Sequence, residues 1–457
     1  MQDYAPSSRK FIFETYRFDV ASMQAHFYYS LLDEKNPENT KGFEEIIDFD
    51  DPNFDIRADV DFGVLENILF HLHLALWISY YKAYPTEKLL IKSWNIDEES
   101  LGFWKKFYIN WLWEFLFQNK ISPKNLFQFE CISDRNIEKK EFSISEKSLV
   151  PIWGWKDSIV SLELLEKNNF EFDTFVFWKI DTIKQDCINI SEKNNFFVSR
   201  KISENLFQLN QQWYFNGHVP ITWIIAFVMH CVAYLFDYKY LVLSNELSAN
   251  FWNTTWQWVE INHQWSKSLE FEVDLKNYVE KNISEKIKYF SLLRGMYEIK
   301  IAKLFSQLGK KYFSIFSSCN NNFKIQKQIN HSGIWCNTCP KCAFVYTMLH
   351  PFLSWDEIHE IFGKDLYEDE NLEALFWELL WISWIKPFEC VGTNQEVTLA
   401  MYYSYKNYNG KNLPFILQIF KEKVLENFEE NTINTLEKTL FSIDQNNIIP
   451  NKFKEIL

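Results

Sequence analysis

The N-terminal third of the chain mixes two periods of apolar and polar positions. Residues 11–18 show the partial two-residue alternation that is typical of β-strands. Residues 65–81 and 103–117 are instead apolar at the three- and four-residue spacing of helices. The pattern therefore predicts an N-terminal α+β domain over residues 1–145.

From residue 149 onward, apolar runs of strand length alternate with segments of helical spacing. The predicted strands cover residues 149–152, 172–180, 238–244, 287–293 and 312–317, and the predicted helices cover residues 221–236, 271–282 and 297–308. Such alternation is typical of an α/β fold with a doubly wound parallel sheet, which we assign to residues 146–343. Ligands of these folds lie beyond the carboxyl ends of the strands. Residues 344–457 show amphipathic spacing and predict a C-terminal helical region.

A short loop at residues 153–158 separates the predicted strand 149–152 from a helical pattern that begins near Ile159. Free backbone N–H groups and the helix dipole converge at such a helix start and favour a bound phosphate. Lys156 adds a cation there and Ser158 adds a hydroxyl. The sequence predicts an anion site at this loop, with an ordinary strand-to-helix turn as the alternative.

The same loop resembles the Ser-Gly-Gly-x-Asp-Ser loop of the PP-loop ATP pyrophosphatases, enzymes of HUP-like fold that cleave ATP between its α and β phosphates. Gly154, Asp157 and Ser158 match that pattern, whereas Trp153 and Trp155 stand where the family has small residues. A backbone that wraps a pyrophosphate needs room and often a positive φ, which Gly gives and Trp does not.

Tryptophan is unusually frequent in this chain and glycine is unusually rare. Average usage of about 7% Gly would give about 32 residues, whereas the chain has 11 Gly and 19 Trp. The two counts together come close to the expected number of glycines. We hypothesise that the source reads the UGA codon as glycine and that translation assigned Trp, the alternative being a Trp-rich protein. The positions where turn chemistry favours Gly are Trp153, Trp155, Trp252, Trp258, Trp381 and Trp384.

The overall composition argues against several classes of function. The formal net charge is −14 and the basic residues form no block, which argues against a nucleic-acid partner. Residues 1–10 lack the apolar stretch of a secretory signal, and the longest apolar run, residues 221–236, is shorter than the roughly 20 residues of a membrane span. We therefore expect no membrane partner and a cytoplasmic location, where cysteines are reduced, metal-binding or catalytic.

Cys336, Cys339 and Cys342 have a spacing that lets three thiolates face one point. Tetrahedral Zn²⁺ needs four ligands, and Cys319, at the end of the last predicted strand, could supply the fourth. The sequence predicts a structural zinc site, because four protein ligands leave no open coordination position. His331 is a competing ligand, and a set of packed free thiols is the alternative.

Several other polar residues lie where a ligand of the predicted sheet would bind. His218 is on a turn before an apolar helix, and Glu246 follows the predicted strand 238–244, where it could bind a metal or a substrate cation. His263 and Lys267 belong to a segment dense in donors, which suits phosphates or carboxylates. A capping His, an exposed Glu and a plain polar loop are the alternatives.

Two more residues are candidates for chemistry. Cys390 lies next to Glu389 and could take part in proton transfer, or it is a small buried hydrophobe. Lys82 ends a long apolar run and is either a functional cation or a solvated lysine at a helix end.

Taken together, these segments resemble one family, the UDP-N-acetylmuramoyl-L-alanyl-L-glutamate epimerases of bacterial peptidoglycan synthesis. The resemblance covers most of the chain, including residues 78–83. Its motifs are Trp-Gly-Trp-Lys-Asp-Ser at 153–158, Asn-Gly-His-Val-Pro at 216–220, Ser-Asn-Glu-x-Ser-Ala-Asn at 244–250, Asn-His-Gln-x-Ser-Lys-Ser at 262–268, Cys-x-x-Cys-Pro-Lys-Cys at 336–342 and Lys-Pro-Phe-Glu-Cys-Val-Gly at 386–392. The departures are mostly Trp where the family has Gly, as the recoding hypothesis predicts.

The resemblance implies an enzyme that uses ATP and Mg²⁺ to activate the terminal L-glutamate of UDP-MurNAc-L-Ala-L-Glu as an acyl-adenylate. Pyrophosphate and then AMP would leave, and the product would carry D-glutamate. Activation removes the negative charge beside the α carbon and makes its proton more acidic. A base can then remove that proton, and an acid can return it on the other face.

The resemblance also implies roles for the candidate residues in binding ATP. The loop at 153–158 would bind the phosphates, with Lys156 and Ser158 as direct contacts. Asp157 and Glu246 would bind Mg²⁺.

Four residues would act on the substrate itself. His263 and Lys267 would hold its anionic groups, and Cys390 and His218 would be the base and the acid. Two other classes of function remain open: another PP-loop enzyme, of deazaguanine or tRNA modification by amidation or thiolation, and a non-catalytic nucleotide-binding descendant. The acidic net charge argues against a tRNA substrate, and the oligomeric state stays open.

Overall fold

A computed structural model describes residues 4–136, 138–212, 214–217, 219, 221–252, 254–256, 259–323, 334–382, 387, 389–427 and 430–457. The strands in that part of the chain are β1 (Arg9–Asp19), β2 (Gln24–Asp33), β3 (Lys41–Asp48), β4 (Lys88–Ile91), β5 (Gln128–Cys131), β6 (Ser148–Pro151), β7 (Phe172–Trp178), β8 (Asn195–Lys201), β9 (Tyr240–Leu243), β10 (Thr254–Trp256), β11 (Val259–Ile261) and β12 (Lys288–Ser291).

The α-helices cover both the sheet region and the C-terminal third. They are α1 (Phe62–Leu76), α2 (Ile78–Tyr81), α3 (Glu98–Asn119), α4 (Lys156–Lys167), α5 (Thr182–Ser191), α6 (Glu204–Gln211), α7 (Ile221–Phe236), α8 (Leu269–Asn282), α9 (Glu298–Leu308), α10 (Pro340–Leu349), α11 (Trp355–Phe362), α12 (Glu373–Leu379), α13 (Asn394–Asn407), α14 (Phe415–Lys423), α15 (Glu430–Leu440) and α16 (Asn451–Lys454).

One ten-stranded sheet runs through the fold in the order β12-β9-β6-β7-β8-β3-β2-β1-β4-β5. The strands β12, β9, β6, β7 and β8 are parallel, β3, β2 and β1 join them antiparallel, and β4 and β5 are again parallel. The predicted α/β class, with a mostly parallel sheet and a helical C-terminal region, is confirmed.

The N-terminal strands and the α/β strands belong to the same sheet. β3 pairs with β8 so that Ile46 lies opposite Lys201, and this pairing joins the region predicted as a separate N-terminal domain to the region predicted at 146–343. The domain boundaries at 145 and 343 therefore stay predictions.

The strand predicted at residues 312–317 is wrong. The segment Lys310–Tyr312 is a 3₁₀ turn, and the Phe316 N–H donates to the Tyr312 carbonyl at 2.9 Å as in a helix. The apolar residues of this run recur at helical spacing, and Phe313 and Phe316 pack on Phe305 with ring centroids 5.5 and 4.6 Å away. Cys319 consequently follows a turn instead of a strand.

The structure also adds a strand that we did not predict. β8 alternates buried residues with polar ones, and its buried side includes Arg200 beside Phe196 and Val198. Arg200 is paired with the buried Glu45 of β3, from Nε to Oε1 at 2.6 Å. An arginine on the core face hides the apolar alternation that would otherwise mark the strand.

The most apolar helices pack inside the protein. Residues Phe62–Tyr81 form a stretch that is long and apolar enough to cross a membrane, but 83% of its most apolar window is buried inside the protein, as in a core helix. On α3, the Phe107 and Trp111 rings pack on Trp223 of α7, with centroids 3.5 and 5.0 Å apart. These contacts fix α3 against α7 beside the parallel strands.

A fully buried ion pair joins the segments that follow β9 and β11. Arg294, just beyond β12, and Glu272 on α8 are both 0% exposed, with Nη2 and Oε1 2.6 Å apart. The same guanidinium donates to the Glu246 carbonyl at 2.7 Å and to the Lys267 carbonyl at 2.6 Å. One side chain thus fixes two loops that carry predicted site residues.

Removing one partner of this pair should destabilise the fold strongly. Arg294→Ala leaves the Glu272 carboxylate buried without its cation, which costs about 3–5 kcal/mol of unfolding free energy. Urea unfolding followed by circular dichroism measures the loss. Replacing both partners, as Arg294→Met with Glu272→Leu, should recover much of it.

The matched control is Lys281→Ala, because Lys281 pairs with Glu99 on the surface and exposed pairs contribute little. An Arg294→Ala variant as stable as the Lys281→Ala variant would contradict the assignment.

Candidate active site

The predicted strand, loop and helix around residue 154 are confirmed as secondary structure. β6 ends at Pro151, and α4 begins at Lys156 with Trp155 as its N-cap. Gly154 has φ +76°, and a Cβ there would lie 2.4 Å from Cγ2 of Ile183. Only glycine fits this position, both in conformation and in space.

Lys156 is the centre of a buried charge cluster at the start of α4. Its Nζ donates to Oδ1 of Asp157 and to Oε2 of Glu298, the first residue of α9. Burial alone would lower the pKa of Lys156, but the two carboxylates raise it above the ordinary value. The Ser158 hydroxyl donates to the Trp155 carbonyl at 2.9 Å, within the first turn of α4.

Two more carboxylates of this cluster carry raised pKa values. Burial raises the pKa of Glu246, which follows β9, and Asp157 raises it further, while lysines oppose the shift. Burial likewise raises the pKa of Glu298 to about 7, against the opposing charges of Lys156 and Lys341. Three carboxylates are thus crowded together in a site where water does not screen them.

Indole rings occupy the space next to the cations. The Nζ atoms of Lys267 and Lys341 lie 4.8 and 5.5 Å from the Trp155 ring centroid. The Nζ of Lys184 lies 5.3 Å from the ring of Trp153. These lysines make cation–π contacts at the positions where a phosphate-binding loop would need open space.

A thiol, an imidazole and a carboxylate meet beside this cluster. Nδ1 of His263 bonds to Oε2 of Glu114 on α3, and His263 also hydrogen bonds to the partly exposed Cys390. Nζ of Lys267 lies 3.4 Å from Sγ of Cys390. The amine of Lys341 donates to the Cys390 carbonyl, so cations surround the thiol.

The protonation states follow from this geometry. Burial would raise the pKa of Cys390, but Lys267, then His263 and Lys341, lower it to about 6. Burial would lower the pKa of His263, but its bonds to Cys390 and Glu114 raise it to about 10. Near neutral pH the pair is therefore a thiolate and an imidazolium, a state suited to accept a proton or to attack an electrophile.

Four cysteines converge as the sequence predicts. The sulfur atoms of Cys319, Cys336, Cys339 and Cys342 all lie within 4.8 Å of one another. Cys339 is the N-cap of α10, with Pro340 in its first turn. Thiolates in this number and grouping fit a tetrahedral structural Zn²⁺. Among the described residues this set could hold a metal, and His331 lies outside them.

Two family descriptions match this chain. The MurL N-terminal domain matches residues 2–292 and the MurL C-terminal domain matches residues 315–434. The chain belongs to the MurL family. Three relatives carry the name UDP-N-acetyl-alpha-D-muramoyl-L-alanyl-L-glutamate epimerase.

The identities to these MurL relatives are similar. The protein of Xanthomonas oryzae pv. oryzae (strain MAFF 311018) is 32% identical over 333 residues, 72% of each chain. The protein of Micromonospora sp. (strain ATCC 39149 / NRRL 15099 / SCC 1413) is 32% identical over 395 residues, 86% of each. The protein of Salinispora tropica (strain ATCC BAA-916 / DSM 44818 / JCM 13857 / NBRC 105044 / CNB-440) is 31% identical over 393 residues, 86% of this chain and 84% of its own.

The structure of this MurL member brings most of the predicted site residues together. Lys156, Asp157 and Glu246 share one cluster, and His263 and Cys390 share the next. Lys267 connects the two, since Cys390 and then Glu246 and Asp157 raise its pKa against the effect of burial. His218 lies outside the described residues, so its predicted role as an acid stays a prediction.

Sequence reasoning missed three charged residues of the site. Glu298 follows the carboxyl end of β12, where an acidic residue at the first helical position was a usable signal. Lys341 lies inside the Cys-Pro-Lys-Cys motif, whose spacing indicates metal binding by the cysteines and gives no separate signal for the lysine. Glu114 is an acidic residue within an aromatic stretch of α3, and this contrast with its sequence neighbours was the one available signal of a role in the site.

Lys82 is buried, which does not fit a solvated lysine at a helix end. It follows α2 and donates from Nζ to the Gly217 carbonyl. Burial and the neighbouring Arg200 lower its pKa to about 7, while Glu114 opposes the shift. Lys82 thus faces the same carboxylate as His263.

Two tryptophans adopt backbone conformations that favour glycine. Trp178, at the carboxyl end of β7, has φ +77°, and Trp381, after α12, has φ +62°. Phe127 is the other aromatic residue with positive φ in the described part of the chain. Such bulky residues are outliers at these angles. Trp381 is one of the positions where we hypothesise glycine. Its ring packs 5.5 Å from that of Trp252, another of these positions. Trp258 and Trp384 lie outside the described residues.

We expect the native protein to contain glycine at residues 153, 155, 178 and 381. Mass spectrometry of tryptic peptides of protein from the source should show the residue mass of glycine, and not that of tryptophan, at each position. The codon at each position should be UGA. Trp104 and Trp223 are the controls, because their buried rings pack on each other and should be encoded by UGG. Tryptophan found at 153 and 155 in the native peptides would refute the hypothesis.

The purified protein should contain stoichiometric zinc. Cys342→Ser removes one of the four thiolates, so zinc should be lost and the thermal unfolding midpoint should fall. Metal content is measured by plasma mass spectrometry. Cys131→Ser is the control, because Cys131 lies outside the cluster. A folded wild-type protein without zinc, prepared with no chelator, would contradict this site.

Proposed function

We propose that this chain is an isomerase that converts the terminal L-glutamate of UDP-MurNAc-L-Ala-L-Glu to D-glutamate. The observation that carries the proposal is the contact of the Cys390 thiol with His263 and with Nζ of Lys267, 3.4 Å from Sγ, in a chain of the MurL family whose relatives are named for this epimerisation. These two cations favour the thiolate. The thiolate of Cys390 provides a base beside the lysines and carboxylates of the site.

The cations of the site suit an anionic substrate. Lys156, Lys267 and Lys341 are concentrated in one place although the chain has a formal net charge of −14. Buried lysines attract carboxylates and phosphates more strongly than exposed ones, because water screens them less. A nucleotide-linked dipeptide that ends in glutamate offers both kinds of anion.

We propose ATP and Mg²⁺ as the further reactants. The oxygen donors of Asp157, Glu246 and Glu298 suit Mg²⁺, and the raised pKa of Glu246 and of Glu298 is the property of crowded carboxylates that a divalent cation relieves. When bound, ATP would supply the adenylyl group: the glutamate carboxylate would attack the α phosphorus and displace pyrophosphate, so that the carboxyl group itself is neutral as an acyl-adenylate. Water would release AMP after inversion and restore the carboxylate.

The chain's own residues then handle the α proton. Because the activated carboxyl group carries no charge, the α proton is acidic enough for a protein base to remove. Cys390 takes it on Sγ, and the nearby ammonium of Lys267 favours the thiolate that does so. We propose His218 as the acid that returns a proton on the other face.

One observation favours a second candidate, a non-catalytic nucleotide-binding descendant. The rings of Trp153 and Trp155 crowd the loop before α4, and Lys156 is already paired with Asp157 and Glu298. If these rings are native, a pyrophosphate has little room there. The glycine hypothesis removes this conflict, and the epimerase is therefore our first choice.

The proposed partners and location are those of an enzyme that acts on a peptidoglycan precursor. The substrate would be the UDP-MurNAc dipeptide, with no nucleic acid partner, and we propose a cytoplasmic location because nucleotide-linked precursors and ATP are available there.

Replacing Cys390 should separate the two half-reactions. Cys390→Ala removes the base, so inversion of glutamate should fall by about a hundredfold or more, whereas ATP–pyrophosphate exchange should persist. Inversion is followed by chiral analysis of hydrolysed product, and exchange by labelled pyrophosphate. The matched control is Cys131→Ala, on β5 and outside the site. Loss of both activities together in a folded Cys390→Ala variant would contradict the role as base.

A further inference from the structure

Glu114 lies on the last turns of α3, where Nε2 of Gln118 donates to its Oε1 at 2.9 Å. Its neighbours Trp111, Trp113 and Phe115 are buried, yet its side chain is 13% exposed and bonds to the imidazole of His263, which is 10% exposed. A carboxylate kept in such surroundings must gain more from its partner than it loses in hydration.

We propose that Glu114 is a positioning residue of the epimerase site, which keeps His263 oriented and protonated so that Cys390 stays a thiolate. The inference rests on the proposed function for its effect on epimerisation. Its effect on the thiol itself can be measured without any substrate.

The packing of α3 explains how this carboxylate reaches the site. Phe107 lies two helical turns before Glu114 on the same face, and its ring packs 5.5 Å from that of Trp265. The segment that carries His263 is therefore held against α3 at one point by rings and at another by the ion pair. The ring contact positions this segment against α3, and the bond to Glu114 orients the imidazole.

The surrounding charges make the carboxylate necessary. Lys267 and Lys341 both lower the pKa of Cys390, and Lys267 beside this site also makes it costly to add an imidazolium. Burial raises the pKa of Glu389, and His263 is among the groups that oppose this shift. Glu114 supplies the bonded negative charge that compensates the imidazolium.

Lys82 shows that the same carboxylate also faces a second cation. Glu114 raises its pKa against the lowering effects of burial and Arg200. Neutralising Glu114 therefore favours deprotonation of Lys82 as well as of His263. The loss at His263 removes positive charge next to the thiol and raises the pKa of Cys390.

The test is the pH dependence of Cys390 alkylation in Glu114→Gln. Iodoacetamide reacts with the thiolate, and mass spectrometry of the peptide that contains Cys390 follows this one cysteine. Without the carboxylate, the pKa of His263 falls and that of Cys390 rises, so the alkylation midpoint should move up by about one pH unit. Epimerisation should fall with it, while ATP–pyrophosphate exchange persists.

Two variants control this measurement. Glu98→Gln changes an exposed acid at the start of the same helix and should leave the midpoint unchanged. Glu114→Asp keeps the negative charge but shortens the side chain by one methylene. The midpoint of Cys390 alkylation should therefore shift less than in Glu114→Gln. Urea unfolding checks that each variant is folded, and if Glu114→Gln does not fold, the shift in Glu114→Asp decides.

An unchanged alkylation midpoint would be the contradicting result. A folded Glu114 variant whose Cys390 midpoint equals that of wild type would overturn the positioning role, even if epimerisation falls. Failure of the proposed function gives a different pattern, in which the midpoint shifts but the wild type inverts no glutamate.

Discussion

The buried ion pair between Arg294 and Glu272 fixes the backbone on which the site depends. Its guanidinium donates to the carbonyls of Glu246 and Lys267, two residues from loops at the carboxyl side of different strands. Because both acceptors are backbone atoms, the pair sets loop position independently of the side chains those loops carry. Side chains of opposite charge can then face each other, since the scaffold holds them together at close range.

The charges of the site balance one another in two neighbouring groups. In one, Lys156 compensates Asp157 and Glu298; in the other, Lys267 and His263 compensate the Cys390 thiolate. Lys267 belongs to both, so a change of charge in one group is felt by the other. Such coupling suits the proposed two-part reaction, in which activation of the carboxylate and proton transfer at the neighbouring carbon take place in adjoining groups.

The sequence predicts much of this arrangement, because strand-loop-helix patterns place their loops at one edge of a sheet. Lys156 and Glu246 follow from that rule, Lys267 follows from a segment dense in donors, and the cysteine spacing indicates its own cluster. Glu114 does not follow, since its role needs the tertiary packing of α3 on the segment of His263. The false strand at 312–317 arises because a short apolar run has no period that distinguishes it from a helical turn.

The tryptophans set a physical condition on the mechanism. Gly154 has φ +76°, a left-handed turn before α4, and the ring of Trp155 beside it lies against Lys267 and Lys341. Those lysines also lower the pKa of Cys390. Replacing the indole by a hydrogen atom would open a cationic space that adjoins the thiolate. The proposed phosphate site and the proposed proton-transfer site would then be continuous, which activation of a carboxyl group next to the reacting carbon would require.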